Sequence, residues 1–129
     1  METTCRYVII FKEKYVHITF QGLVSPDKLI EASDEIMNSS RFTPGIPQIW
    51  EATHADLSEA DGKTVEYAAN ELNLRWAPVK DSRVGLVSRY EINLSTVELF
   101  KEMYDRDLDN VRVFSTIEEA EEWVVGEQK

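Results

Sequence analysis

Apolar and polar positions alternate, then recur at helical spacing, then alternate again along most of this chain. Tyr7-Val8-Ile9-Ile10-Phe11 is a β-rich run, Lys12-Glu13-Lys14 a polar turn, and Tyr15 to Phe20 resumes the alternation. Val16, Ile18 and Phe20 fall on one face of the second run and Tyr15, His17 and Thr19 on the other. Two such runs around a short turn predict an antiparallel hairpin, ended by Gly22. Ser25-Pro26 then suits a helix start, because serine can cap and proline's fixed φ fits the first helical position. Leu29, Ile30, Ser33, Ile36 and Met37 share one face of that helix until Asn38-Ser39-Ser40 and Pro44-Gly45 interrupt it.

Ile46 to Ala52 predicts the next strand, with Pro47 near its beginning, where a missing N–H does least harm. Thr53 to Leu57 reads as a loop leading to a long helix from Ser58, whose Ser58-x-x-Asp61 spacing resembles a capping box. Val65, Ala68, Ala69, Leu72 and Trp76 form its buried stripe, and Pro78 stops it. Gly62 weakens its first turns by about 1 kcal/mol relative to alanine. Arg83 to Val87 is nearly continuous in apolar character, as expected of a strand covered on both faces. Ser95-x-x-Glu98 is a full capping box, with Leu94 and Leu99 as a staple, so a helix is predicted from there with Val97, Phe100, Met103 and Tyr104 inward. Val111 to Phe114 is the last strand. Ser115-Thr116 caps a final helix carrying Ile117, Ala120, Trp123 and Val124, and Gly126 ends it.

The order is therefore β-β-α-β-α-β-α-β-α. After the hairpin every strand is followed by a helix, which predicts an α/β fold with a mostly parallel sheet and right-handed crossovers. The helices pack on that sheet, and the hairpin supplies one antiparallel strand. At 129 residues the whole span 1–129 reads as one domain, without repeats or a linker. A chain of this size buries roughly two thirds of its unfolded surface, enough to fold without a disulfide or a metal. Cys5 is the sole cysteine, which excludes an intrachain disulfide and a cysteine-based zinc site.

Charge narrows the partners. A net charge of −10, from 24 acids and 14 bases, repels phosphate backbones and anionic headgroups, and no basic stripe interrupts it. No nucleic-acid partner is expected. No run approaches the ~18 apolar residues of a membrane span, and Met1 to Arg6 lacks a basic segment leading into an apolar one. No membrane insertion is therefore expected, and a cytoplasmic location is.

Four local strings, in this order, resemble the SpoIIAA-like family of STAS-type domains. They are Arg41-Phe42-Thr43-Pro44-Gly45, Ala55-Asp56-Leu57-Ser58, Arg83-Val84-Gly85-Leu86-Val87, and Val111-Arg112-Val113-Phe114 running into an acidic helix with Trp123. The resemblance spans about Tyr7 to Val125 and implies four or five strands with helices against them. It also implies action through protein contacts, as in bacterial anti-sigma-factor antagonists switched by serine phosphorylation; more distant look-alikes bind lipids. Ser58 stands near the position of that switch, but the Asp-Ser-Ser-Gly-like string that marks it is missing.

Thr53, His54, Asp56 and Ser58 are the candidate binding or regulatory residues. Ligands of open α/β sheets gather beyond the carboxyl ends of parallel strands, and a helix N-terminus there suits an anion. Arg89, after the strand ending at Val87, belongs to the same edge and can pair with an anion or with Asp56. Each also has a plainer role: Ser58 as a helix cap, Thr53 as a turn residue, His54 and Asp56 as a solvated pair, Arg89 as a surface ion pair. His17 reads as a surface or cross-strand residue, and Trp50, Trp76 and Trp123 as core. Hydrolase elbows, zinc-protease helices, P-loops and dinucleotide fingerprints are absent, so no catalytic residue, cofactor or metal is expected. The leading expectation is a non-enzymatic regulatory domain that binds an unidentified protein through Thr53–Ser58 and the following helix. Self-association into a homodimer is a further expectation. The alternative is a module for a small apolar or anionic ligand, a lipid among them, held between the sheet and the helices that end at Trp76 and Tyr104. An enzyme would need an unrecognised site around His54, Asp56 and Arg89.

Overall fold

The computed structural model describes residues 5–57, 60–76, 82–88, 91–104 and 110–126, the side chains of 91–94 excepted. Its elements are β1 (Arg6–Phe11), β2 (Val16–Leu23), α1 (Pro26–Met37), β3 (Gln48–Asp56), α2 (Gly62–Trp76), β4 (Val84–Val87), α3 (Glu91–Tyr104), β5 (Val111–Phe114) and α4 (Ile117–Val125). The strands form one sheet in the order β1-β2-β3-β4-β5. β1 runs antiparallel to β2, and every other neighbouring pair is parallel. This is the α/β order and strand polarity that the hydrophobic pattern predicts.

The strand order never reverses. Right-handed crossovers that always step the same way lay their helices on one face of the sheet, and α1, α2 and α3 sit there side by side. On this inner face Val16, Ile18 and Phe20 of β2 pack with Ala32 and Ile36 of α1, and with Ala69, Leu72 and Trp76 of α2. α4 follows the last strand and turns back over the opposite, outer face. There Ala120 and Val124 meet Ile49 of β3 and Val87 of β4, with Tyr15 beside them. β4 is consequently buried on both faces, which explains its unbroken apolar run.

Gly85 sets how closely α4 approaches. A Cβ there would stand 3.3 Å from the Ala120 Cβ, 3.4 Å from Val124 Cγ1 and 3.6 Å from Phe114 Cε2. Gly85→Val must push α4 outward, and should destabilise the protein by about 1–3 kcal/mol in urea unfolding. An unchanged midpoint would mean that α4 is not seated as described.

A second tie to α4 comes from the hairpin. Tyr15 is only 5% exposed, and its hydroxyl donates to the Glu121 carboxylate. Burial first, and then that hydrogen bond and negative charge, push the Tyr15 pKa from 10 up to about 12. The folded state thus keeps a proton that the unfolded chain releases. Its stabilisation is complete below pH 10 and is lost as pH rises towards about 12. Tyr15→Phe should cost about 1–2 kcal/mol at neutral pH and flatten the loss of stability across that alkaline window. An alkaline slope unchanged by the substitution would contradict the assignment.

Several boundaries differ from those predicted. Thr53–Asp56 is not a loop but the last part of β3. α2 starts at Gly62 rather than Ser58, and Asp61 caps it, its Oδ1 accepting from the Thr64 N–H at 2.8 Å. Gly62 is thereby the first helical residue, where its flexibility costs less than in an interior turn. α3 starts at Glu91, a full turn before Ser95. Ser95 and Glu98 are thus inside the helix, so the predicted cap does not form there; the side chain of Leu94, the predicted staple, lies outside those described. Thr116 does cap α4, accepting from the Glu119 N–H at 3.2 Å. Gly126 ends that helix in extended rather than left-handed backbone. Ser25 occupies the N-cap of α1, but its side chain makes no capping bond; its carbonyl accepts from Lys28 and Leu29 instead. Cys5 is buried in the inner core, and burial pushes its thiol pKa up, away from reactivity. Pro78 lies outside the described residues.

Candidate functional site

Across β2 and β3 the register passes from Thr19↔Glu51 to Gln21↔His54, so β3 carries one extra residue, a bulge at Ala52–Thr53. Before the bulge Gln48 and Trp50 face inward. Had strict alternation continued, His54 and Asp56 would face inward as well. The extra residue turns them to the outer face and brings Ala55 and Leu57 in.

What the inward residues border is a cavity of about 120 Å³ between the sheet and α1–α3. Its size approaches that of an engineered apolar cavity of ~150 Å³ that binds benzene, although this space is a cleft partly open to solvent. Small side chains leave the space open: Ala52 and Ala55 from β3, Ala60 before α2, and Ala68 within it. Aromatic rings frame it, each held in place. The Trp50 indole donates to Gln48 Oε1 at 2.7 Å and stacks on Phe20 with centroids 5.6 Å apart. The Trp76 indole donates to the buried Ser33 hydroxyl of α1 at 3.1 Å and meets Phe42 edge-on at 6.0 Å. On the α3 side Phe100 and Tyr104 stack at 5.3 Å. Walls pinned this way cannot relax inward freely, which is why the void survives close packing. The rest of the wall is mostly apolar, with Ser25, Glu51, Thr64 and Thr96 as exceptions.

The sequence-predicted residues divide around this cavity. Thr53 is buried at the bulge, whereas His54 and Asp56 are exposed on the outer face, beyond the sheet from the cavity. Ser58 and Arg89 lie outside the described residues. The structure therefore does not gather Thr53, His54 and Asp56 about one point. Ser88, next to Arg89 in sequence, is buried, and its hydroxyl has no hydrogen-bond partner among the described residues. His17 is the cross-strand residue expected, its Nε2 2.9 Å from Glu51 Oε1 on the outer face. Among the described residues no group of three histidine, cysteine or acidic side chains is placed to hold a metal. No helix among them is long and apolar enough to cross a membrane. Trp50 and Trp76 belong to the core, as read from sequence, and also wall the cavity. The signal that could have revealed them is the run of alanines facing them, too small to fill the space that two indoles hold open.

No protein-family model and no curated protein matches the sequence. Solved structures do match. An anti-sigma factor antagonist from Mycobacterium paratuberculosis aligns over 94% of this chain and 94% of its own, with a TM-score of 0.64 and 11% identity. An uncharacterised protein of the DUF3478 family from Shewanella loihica PV-4, described as having a SpoIIAA-like fold, aligns over 96% of each chain with a TM-score of 0.60 and 14% identity. The fold is SpoIIAA-like. At such identities a SpoIIAA-like likeness transfers architecture and not the roles of residues. It agrees with the resemblance carried by the four sequence strings, and it takes in nearly the whole chain.

Proposed function

We propose that this protein is a non-enzymatic regulatory binding domain whose ligand is a small apolar molecule, held in the cavity between the sheet and α1–α3. The observation that carries this reading is the cavity itself: apolar, ring-framed, and kept open by alanines where larger side chains would close it. A site of this kind selects by shape and desolvation, and a single aromatic ring or a short branched alkyl group fits its volume. The absence of enzymatic chemistry is part of the same reading. Glu51 belongs to a strand that borders the cavity, but its carboxylate is engaged by His17 on the other face. Thermal-shift measurements with indole and with short aliphatic alcohols test the proposal. A ligand at a hundred times its dissociation constant should add ~2.7 kcal/mol of stability. No stabilisation by any ring-sized apolar compound would refute it.

A second reading, binding of a protein partner, is favoured by the end-to-end likeness to a protein described as an anti-sigma factor antagonist. Under it the exposed side of the His54–Asp56 segment and the start of α2 form the contact. His54→Ala combined with Asp56→Ala should then weaken a purified stoichiometric complex and leave apolar ligand uptake unchanged. Those readouts separate the two readings.

A further inference from the structure

α4 covers only part of the outer face. Ala120 and Val124 rest against Ile49, Gly85 and Val87 with Tyr15 buried beside them, and the outer side of β1 lies open at the edge of the sheet. There Val8 is 55% and Ile10 48% exposed. Strand alternation places Arg6 and Lys12, both exposed, on the same side at either end of this pair. In a chain of net charge −10 this is an apolar strip flanked by cations. The solvent side of α4 has the complementary character. Glu118, Glu122 and Val125 share one helical stripe there, all exposed.

We propose that a second copy of this chain covers the strip. The two molecules pair outer face to outer face about a two-fold axis that lies between their sheets along the strand direction. Rotation about that axis reverses the sheet from side to side. It carries β1–β2 of one copy over the β4–β5 side of the other, where α4 stands, so each α4 fills the step left by its mate. A two-fold across the strands would instead oppose strip to strip and set Arg6 and Lys12 near their own kind. In the favoured arrangement Val125 meets Val8 and Ile10, and Glu118 and Glu122, both on the N-terminal side of Val125, come within reach of Arg6. The spacings agree. Along the strand Arg6 is about 7 Å from Val8 and about 14 Å from Ile10, and along the helix Glu122 and Glu118 lie about 4.5 Å and about 10 Å from Val125 in one direction. The contact is self-complementary, as a two-fold interface requires.

Sedimentation velocity of the full chain over a range of protein and salt concentrations tests the pairing. The wild type should be a dimer that weakens as salt screens the charges. Ile10→Glu should make it monomeric. Arg6→Glu should weaken dimerisation roughly tenfold or more, and adding Glu118→Lys and Glu122→Lys should restore it. All four positions are exposed, and circular dichroism verifies folding; should Ile10→Glu fail to fold, the charge exchange alone decides. A wild type that stays monomeric at its highest soluble concentration would overturn the proposal. So would a dimer indifferent to the substitution at Arg6, or a charge exchange that restores nothing.

Discussion

Ala68→Phe should bring uptake of ring-sized apolar ligands below detection while the fold persists. Ala68 is buried on α2 and faces the cavity, so its methyl is one of the groups whose smallness leaves the space open. Phenylalanine at this position places a ring where the ligand's ring would lie. Binding is then lost through occupancy, without removal of any polar contact. Overpacking ordinarily costs about 1–3 kcal/mol, but here the new ring enters existing volume, so the cost should fall at or below that range. Calorimetric titration with indole, together with urea unfolding of the unliganded protein, measures both effects. Undiminished binding in a folded Ala68→Phe protein would place the ligand elsewhere.

Trp76→Ala should be the most damaging single change at the site. Its side chain is 3% exposed, packs edge-on to Phe42, and ties α2 to α1 through Ser33. Truncating a buried tryptophan costs about 3–5 kcal/mol. The orphaned Ser33 hydroxyl contributes to that loss, since a buried polar group without a partner is unfavourable by about 1–3 kcal/mol. Against a total stability of about 5–15 kcal/mol for a domain of ordinary size, this brings the protein close to unfolding. Trp76→Phe keeps most of the ring packing and loses the hydrogen bond, so it should fall in between. A loss below about 1 kcal/mol for Trp76→Ala would show that the wall is not held as described.

The architecture was legible because burial imposes a period. Val16, Ile18 and Phe20 alternate because one side of β2 faces the helices, and β4 is apolar throughout because α4 covers its other side. Helix starts were less legible, because a capping box is a spacing of two residues that a helix interior also accommodates. Ser95-x-x-Glu98 has the right residues, yet a cap requires serine in extended backbone, and a helix already running from Glu91 excludes that. Asp61, read as the second member of a box at Ser58, is itself the cap of α2.

The candidate site was legible only in its neighbourhood. Ala52, Ala55 and Leu57 do border the cavity, at the end of β3 where a ligand site was sought. Which side chains enter it depends on the bulge at Ala52–Thr53. One added residue inverts the facing of everything after it, and nothing in Glu51-Ala52-Thr53-His54 announces that addition. His54 and Asp56, the residues with chemistry to offer, were turned outward by it. The strand order mattered as well. A sheet that never reverses direction has no switch-point crevice of the kind that hosts ligands in doubly wound folds, so the space lies beneath the helices.

Above all, the space beneath the helices must be a binding site, and nuclear magnetic resonance titration of the full chain with indole tests this most directly. Saturable shifts should appear at the methyls of Ala52, Ala55 and Ala68 and at the indole N–H protons of Trp50 and Trp76, with the methyls of Val8 and Ile10 unmoved. Shifts that never saturate, or that fall on the outer face while the cavity residues stay still, would contradict it.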